Sequence, residues 1–366
     1  MSVNIQYVEV TLSDTQSENT ATITAVDQSK TLLLITGFKA SNDTGLDEFR
    51  RQLAAVFFTS NTEIKVRRRL DEAGVGTVNK TYGVWVIEDD DFSVQRGEVT
   101  ANAYPNSVTI TSVTQTNSAI FVNIEGDAGS APEKLYIPVV HFDSSTQFTM
   151  SINATTSIFG AGKHWQVVEC SRWTTQDISA STTFGNTSNK TITSVDTSKT
   201  WHIVQGAKNG SGMDGYEQVY SQITSSTNLQ FLKIDSDSEY YLMSAFVIED
   251  SAASVQRNII SISSSATATD TISAIDTDYS FMAVCAGSTG QCTPADNTTN
   301  EPGNKDFCLS TIENSTTVQV ERYNTGVRPG KVSYEVVELD ISEILDDRAF
   351  QRGIEIGVYR GVEHAR

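Results

Sequence analysis

An internal repeat governs how this chain of 366 residues can fold. A short strand pattern that ends in a polar turn begins at residues 22, 109, 191 and 271. A second pattern, a strand rich in aliphatic residues that ends in Glu, closes at Glu88, Glu169, Glu249 and Glu338. Two independent patterns that recur in the same order, about 80 residues apart, predict four copies of one structural unit. We call each copy a module.

The repeated patterns have the composition of β-strands. The first reads Thr22-Ile23-Thr24-Ala25-Val26-Asp27, and its second copy ends in Thr114 instead of Asp. A third, weaker pattern is a Ser-Thr turn such as Ser60-Asn61-Thr62, followed by apolar residues at alternate positions. Alternation around a turn predicts a β-hairpin. The third and last strands of a module are the most continuously apolar, so we expect both to be central in their sheets.

These patterns predict an all-β protein of four tandem antiparallel β-sandwich modules, each about 80 residues long. The predicted ranges are 1–91, 92–171, 172–252 and 253–340, followed by a C-terminal extension at 341–366. Only residues 46–53 and 341–350 have a pattern compatible with a helix.

The C-terminal extension contains a surplus strand pattern. Phe350-Gln351-Arg352-Gly353-Ile354-Glu355-Ile356 repeats the motif that opens module 2 at Val94-Gln95-Arg96-Gly97, yet no module follows it. An unpaired strand edge invites pairing with another strand. We therefore expect this segment either to close module 4 or to dock on a neighbouring subunit. The candidate interface residues are Gln351, Arg352, Gly353, Ile354 and Ile356.

A basic strand in module 1 is a second candidate interface. Strand alternation places Lys65, Arg67 and Arg69 on one face, opposite Val66 and Arg68. This face could dock an acidic neighbour such as another copy of the chain. The alternative interpretation is a basic strand that faces water.

Charge and hydropathy exclude several classes of function. The formal net charge of −19 argues against binding to nucleic acid. No stretch of 18 apolar residues occurs, so we expect no transmembrane helix. The start, Met1-Ser2-Val3-Asn4-Ile5-Gln6, lacks a basic region followed by an apolar run. We therefore expect no secretory signal peptide and synthesis in a cytoplasm.

No motif for catalysis or metal binding is present in the sequence. The four histidines lack ligand spacing, and the serine-hydrolase elbow and the phosphate loop are both missing. The acidic clusters at 88–91 and 235–239 do not match a calcium loop. We therefore predict a protein that is not an enzyme and has no catalytic residue, metal or cofactor. Cys285, Cys292 and Cys308 gather in module 4, either as buried thiols or with a disulfide among them.

This layout resembles the tandem β-sandwich structural proteins of tailed-bacteriophage particles, namely capsid-decorating, tail and fibre-associated proteins. The shared features are repeated small sandwiches, strands rich in Ser and Thr, acidity, and an adhesin-like architecture without an export signal. The resemblance implies a location on the virion, contacts with other virion proteins, and homo-oligomerisation.

The modules are also similar to the H-type lectin fold, through the late-strand segment Tyr82-Gly83-Val84-Trp85-Val86. This likeness implies an alternative function, a carbohydrate-binding adhesin that attaches to cell-surface glycans. Tyr216 and Tyr323 would then be candidates for stacking on sugar rings. A third alternative is a bacterial surface-layer or matrix protein exported by another route.

Overall fold

The structure is a computed structural model that describes most of the chain. The described residues are 3–13, 15–40, 54–68, 79–100, 105–125, 138–151, 162–184, 187–209, 219–233, 239–262, 265–285, 293–294, 308–322 and 330–340. Within these ranges the regular elements are β-strands and short 3₁₀ helices, which confirms the all-β fold class. The two segments with a helical pattern, 46–53 and 341–350, lie outside the described residues.

Each module contributes six main strands. Module 1 contains β1 (Val3–Leu12), β2 (Glu18–Thr22), β3 (Thr31–Ala40), β4 (Ala55–Ser60), β5 (Glu63–Arg67) and β6 (Lys80–Asp89). Module 2 contains β7 (Phe92–Val99), β8 (Asn106–Thr109), β9 (Ser118–Ile124), β10 (Val139–Ser144), β11 (Gln147–Ser151) and β12 (Lys163–Cys170).

Modules 3 and 4 repeat this order. Module 3 contains β13 (Trp173–Phe184), β14 (Thr187–Thr191), β15 (Thr200–Asn209), β16 (Val219–Ser225), β17 (Asn228–Lys233) and β18 (Glu239–Asp250). Module 4 contains β19 (Ala253–Ile262), β20 (Thr267–Thr271), β21 (Ser280–Val284), β22 (Thr293–Pro294), β23 (Leu309–Asn314), β24 (Thr317–Glu321) and β25 (Gly330–Leu339). The short β22 is an addition, so β23 to β25 are the fourth to sixth main strands. The 3₁₀ helices are Gln28–Lys30, Gln115–Asn117 and Thr277–Tyr279.

In every module the six main strands form two antiparallel three-stranded units. One unit has the order first, sixth, third, and the other has the order second, fifth, fourth. In module 4 the short β22 adds to the first unit, and one residue pair between β23 and β3 joins the second unit to module 1 in a six-stranded sheet. The sixth strand, which carries the pattern ending in Glu, is central, as the sequence indicates. In modules 2, 3 and 4 the third strand is an edge of its sheet, so the expectation that it is central is wrong there. In module 1, β3 also pairs with β23 through one residue pair. The apolar character of the third strand has another cause, because it is buried against the adjacent module.

The repeated sequence patterns meet at one end of each sandwich. In module 1, Ile23 N donates to Thr62 O and Val26 N donates to Asn61 O, both at 2.9 Å, which ties the first pattern to the Ser-Thr turn. Glu88 Oε1 accepts from Asp27 N at 2.6 Å, which ties the first pattern to the last. The Ser-Thr contacts recur in the other three modules, and the glutamate contact recurs at Glu169 and Glu338. These contacts explain why the three patterns recur together.

A glutamine in the first strand links the two sheets of each module. In module 2 the side-chain amide of Gln95 donates to Thr111 O at 3.0 Å and accepts from Thr111 N at 2.7 Å. The other modules repeat this pair of bonds with Gln6 on Thr24, Gln176 on Thr193 and Gln256 on Ser273. We call this contact the glutamine clamp. Its recurrence shows that the four modules share this contact between their sheets.

The modules form a closed ring. The fourth strand of each module packs on the sheet of the next module that holds that next module's third and sixth strands. Thus β4 packs on β12, β10 packs on β18, and β16 packs on β25. The fourth contact joins the last module to the first, because β23 packs on β3 and β6, and Leu309 pairs with Gly37. One head-to-tail contact that repeats and closes gives a ring with pseudo-fourfold symmetry.

The apolar core crosses the boundaries between modules. One cluster of buried side chains takes residues from all four modules, including Trp85, Phe121, Trp201 and Phe281. Aromatic rings meet within it, with centroid distances of 5.8 Å for Trp173–Trp201 and 5.4 Å for Trp201–Phe281. Two smaller clusters fill the sandwiches of modules 1 and 3. The described strands of each sandwich fall within the predicted ranges, but independent folding of those ranges stays a prediction.

Candidate functional site

The notable polar side chains of the described residues gather where modules meet. The innermost group surrounds Arg172, in the turn that connects modules 2 and 3. Its guanidinium pairs with Asp89 at 2.6 Å, Asp91 at 2.7 Å and Asp250 at 3.3 Å. Asp89 ends β6 and Asp91 lies in the turn from module 1 to module 2, whereas Asp250 ends β18, just before the turn from module 3 to module 4. One cation therefore joins all three connections between modules.

Burial determines the electrostatics of this group. The side chain of Asp89 is 0 % exposed and that of Asp250 is 2 % exposed. Burial raises the pKa of Asp89 above its ordinary value, although Arg172 opposes the shift. Burial by itself would lower the pKa of Arg172, but the carboxylates raise it, so the guanidinium stays charged. The sequence gives no sign of this arrangement, because Arg172 is distant from residues 88–91 in the chain.

The contact between modules 1 and 2 contains a neutral polar pair. The side chain of Gln166 accepts from Leu33 N at 3.1 Å and donates to Leu33 O at 2.8 Å. Arg96 donates beside it to the carbonyls of Gln28 and Thr31. The side chain of Gln166 thus takes the place of a neighbouring strand beside β3, because it bonds both the N–H and the carbonyl of Leu33.

A charged group covers the outer side of the same contact. Arg67 bonds Glu125 at 2.6 Å and Glu98 at 3.1 Å, and His164 lies 2.8 Å from Glu125. The ring of Phe57 stacks on His164 with a centroid distance of 4.9 Å. Burial would raise the pKa of Glu125, but the bonds from His164 and Arg67 outweigh it and hold that pKa below its ordinary value.

The contact between modules 3 and 4 contains a buried cluster, which we call the His202 cluster: Ser221, His202, Glu335, Arg257 and Cys285. His202 Nδ1 lies 3.0 Å from Glu335 Oε1, and His202 Nε2 lies 2.6 Å from Ser221 Oγ. Arg257 Nε donates to Glu335 Oε1 at 3.0 Å. Cys285 Sγ lies 3.7 Å from His202 Nδ1, and burial raises the pKa of its thiol well above the ordinary value.

The order hydroxyl, imidazole, carboxylate in this cluster has the connectivity of a nucleophilic triad. Ser221 and His202 are nevertheless 0 % exposed, and Glu335 is 1 % exposed. A nucleophile must reach a substrate, and this hydroxyl is enclosed between two modules. We therefore interpret the cluster as structural. The sequence gives no sign of either histidine's role, because partners such as Arg67 for His164 and Glu335 for His202 come from another module.

Of the predicted interface residues, Lys65 and Arg67 pair with acidic residues of the same chain, and the others lie outside the described residues. Arg67 contacts an acidic neighbour, but that neighbour is module 2 of the same chain, and Lys65 pairs with Glu18 of its own module at 2.7 Å. Arg68 is buried and donates to the carbonyls of Ser13 and Gln16. Arg69 lies outside the described residues, as do the C-terminal candidates Gln351, Arg352, Gly353, Ile354 and Ile356. Docking of another subunit on these residues stays a prediction.

The cysteines separate into two kinds. Cys170 and Cys285 are buried free thiols, whereas Cys308 is disulfide-bonded. Cys285 therefore takes no part in the disulfide, and Cys292 lies outside the described residues. The residues 235–238 of the second acidic cluster, together with Tyr216 and Tyr323, also lie outside them. Among the described residues, no helix has the length and apolarity needed to cross a bilayer.

Comparisons with known proteins do not assign the chain to a family. No family model matches it, and no curated protein matches it. The solved structures that resemble it include one described as the triple jelly roll fold and turret assembly of an archaeal virus. That likeness covers 87 % of this chain and 98 % of the other, with 8 % identity and a TM-score of 0.17. A TM-score at this level carries no argument about fold or function.

Proposed function

We propose that this chain is a virion structural protein on the exterior of a phage capsid or tail, and that it acts by packing against other subunits. The observation that supports a structural role is that the charged clusters of this chain lie at the contacts between modules. Arg172, Arg67 and the His202 cluster all join one module to another. These three groups thus stabilise contacts between modules.

The second strands of the modules are edge strands whose short, polar sequences suit a protein that stays soluble when many copies are close together. The second strands β2, β14 and β20 are five residues long and alternate between exposed and partly exposed side chains. Their sequences are polar, for example Glu18-Asn19-Thr20-Ala21-Thr22. Short polar edges disfavour uncontrolled strand pairing, and a net charge of −19 adds mutual repulsion.

The ring also limits how copies could associate. Each fourth strand already packs on a neighbouring module, so the repeated module contact is used up within one chain. Contacts with other virion proteins, or with further copies of this chain, would therefore use other surfaces. The C-terminal extension at 341–366 is the segment that the proposal assigns to this role.

The test is association with particles. The genomic neighbours of the coding sequence should include capsid, portal or tail genes. Particles from the same source, purified on a density gradient, should contain the chain by mass spectrometry and expose it to immunogold labelling. A chain that is absent from purified particles would refute the proposal. Binding of the purified protein to a glycan array, without particle association, would instead support the carbohydrate-binding adhesin.

A further inference from the structure

The His202 cluster differs from what occupies the equivalent positions elsewhere in the ring. The pseudo-fourfold symmetry aligns Glu335 with Gln166, His202 with Leu33, Ser221 with Val56 and Cys285 with Asn123. The contact between modules 4 and 1 places Trp85, Met282, Ser310 and Thr36 at these positions. A His, a Cys and a carboxylate come together in only one of these contacts among the described residues.

Docking of the modules does not require this chemistry. Gln166 satisfies Leu33 N with a neutral amide, as Glu335 Oε2 satisfies His202 N at 2.7 Å. A buried carboxylate costs more free energy than a buried amide, unless charge and hydrogen bonds compensate. Arg257 supplies one compensating charge to Glu335. Arg257 also donates to Thr200 O, and Arg96 makes the equivalent bond to Thr31 O in module 2. The backbone contact between the modules therefore does not account for the additional His and Cys.

The hydrogen bonds of Ser221 determine which nitrogen of His202 faces Glu335. Ser221 Oγ donates to Cys285 O at 3.3 Å, so it accepts from His202 Nε2–H at 2.6 Å. In a neutral imidazole Nδ1 then presents a lone pair, and it faces Glu335 Oε1 at 3.0 Å. Two acceptors at this distance need either a metal ion or a second imidazole proton between them.

We propose that His202 Nδ1, Cys285 Sγ and Glu335 Oε1 form a structural site for Zn²⁺ that joins module 3 to module 4. The three donor atoms lie within 4.8 Å of one another, and all three residues are buried. Nitrogen, sulfur and carboxylate oxygen are the donors that Zn²⁺ takes in proteins, usually in fourfold coordination. Three of these positions come from this cluster, and Ser221 orients the imidazole through Nε2 in the manner of an outer-shell partner.

The proton and charge balance is simple. Binding of Zn²⁺ releases the thiol proton of Cys285 to solvent, and the thiolate and Glu335 together neutralise the ion. Arg257 remains bonded to Glu335 as an outer donor. The second group of suitable residues, Glu98, Glu125 and His164, contains no sulfur and is more exposed.

The test uses the full chain, because the site is closed in the folded ring. The protein is unfolded in denaturant at mildly acidic pH without reductant, which keeps the disulfide of Cys308, and is then refolded with or without equimolar Zn²⁺ or Co²⁺. We expect one Zn²⁺ per chain by elemental analysis after desalting, and a higher thermal midpoint than for the metal-free protein. Co²⁺ should give the absorption of a thiolate-to-cobalt charge transfer, which a site without sulfur cannot produce.

Two substitutions and a control locate the site. Glu335→Gln restores the residue that module 2 carries, so it should fold but lose the metal and the Co²⁺ absorption. Cys285→Ser should also lose both, whereas Cys170→Ser, at a buried thiol outside the cluster, should retain both. Refolded wild-type protein that binds no metal and has the same midpoint with and without Zn²⁺ would overturn the proposal. The cluster would then be an imidazolium–glutamate ion pair only.

Discussion

At the scale of single residues, the ring depends on buried charges whose partners are distant in sequence. Arg172→Ala removes the cation that Asp89 and Asp250 share, and both carboxylates would remain in the interior. Loss of one partner of a buried pair costs about 3–5 kcal/mol of unfolding free energy. Urea denaturation followed by circular dichroism measures this loss.

The matched control is the more exposed pair Lys30–Asp90, whose side chains are 37 % and 28 % exposed. Lys30→Ala should change the unfolding free energy by no more than about 1 kcal/mol. Equal losses for Lys30→Ala and Arg172→Ala would show that Arg172 is not a central contact.

Glu125 gives the contact between modules 1 and 2 a defined pH dependence. Its pKa in the folded chain is lowered, so its ionisation stabilises the fold above the pKa of the unfolded chain. That stability is lost as the pH falls through the folded pKa. Glu125→Gln should therefore cost about 1 kcal/mol at pH 7, and the difference from wild type should shrink in acid.

Urea titrations of both proteins across the acid range provide the measurement. Glu18→Gln, in the exposed pair with Lys65, serves as a control with little expected effect. A difference between Glu125→Gln and wild type that stays constant with pH would contradict the assignment.

At the scale of elements, the glutamine clamp occurs once in each module, so its contribution to stability can be tested four times. Gln95→Ala removes two hydrogen bonds that join the first strand of module 2 to the turn after its second strand. The contact is exposed, so each substitution should cost about 0.5–1.5 kcal/mol. Gln6, Gln176 and Gln256 should give similar losses, because their contacts are equivalent.

The combined substitutions test whether the clamps are independent. Distant sites with no shared partner should add to within about 0.5 kcal/mol. Urea midpoints of the single and fourfold variants decide this. A clamp whose loss has no effect in one module would mean that the contact there is incidental.

The strands themselves were predictable, because alternation and turn chemistry are local. β5 alternates between buried Ile64 and Val66 and the partly exposed Lys65 and Arg67, as strand periodicity requires. The position of the third strand was not predictable. An apolar strand in the centre of a sheet and an apolar edge strand covered by another module have the same pattern of apolar residues. β9 is such an edge, and all seven of its residues are buried.

At the scale of the whole molecule, the ring closes through a glycine that the other modules lack. A Cβ at Gly83 would lie 2.5 Å from Tyr7 Oη and 2.6 Å from Leu309 Cδ1. Modules 3 and 4 carry Ser244 and Ser333 at this position. Gly83→Ser should cost about 1–3 kcal/mol, because Leu309 must shift away from module 1.

The control is Ser244→Ala, which keeps a Cβ and loses one bond from Val140 N. Its expected cost is about 0.5–1.5 kcal/mol. Denaturation of both variants in urea compares the two contacts. A Gly83→Ser protein as stable as wild type would show that the last contact of the ring tolerates expansion.

The shared core predicts that the four sandwiches unfold together. Because one apolar cluster takes residues from every module, loss of one module would expose the core of its neighbours. We expect a single thermal transition with equal calorimetric and van't Hoff enthalpies. Separate transitions would instead support the predicted ranges as independent folding units.

The sequence alone determined the strands, their turns and their fourfold recurrence, because these depend on side-chain alternation and hydrogen bonds between near neighbours. It also located the residues that link the patterns within a module, such as Glu88 and Asp27. The tertiary structure decided which surfaces of the modules meet, and therefore closed the ring. Partners such as His202 and Glu335 are 133 residues apart. No local pattern encodes such a contact, because the free energy that forms it comes from burial between whole modules.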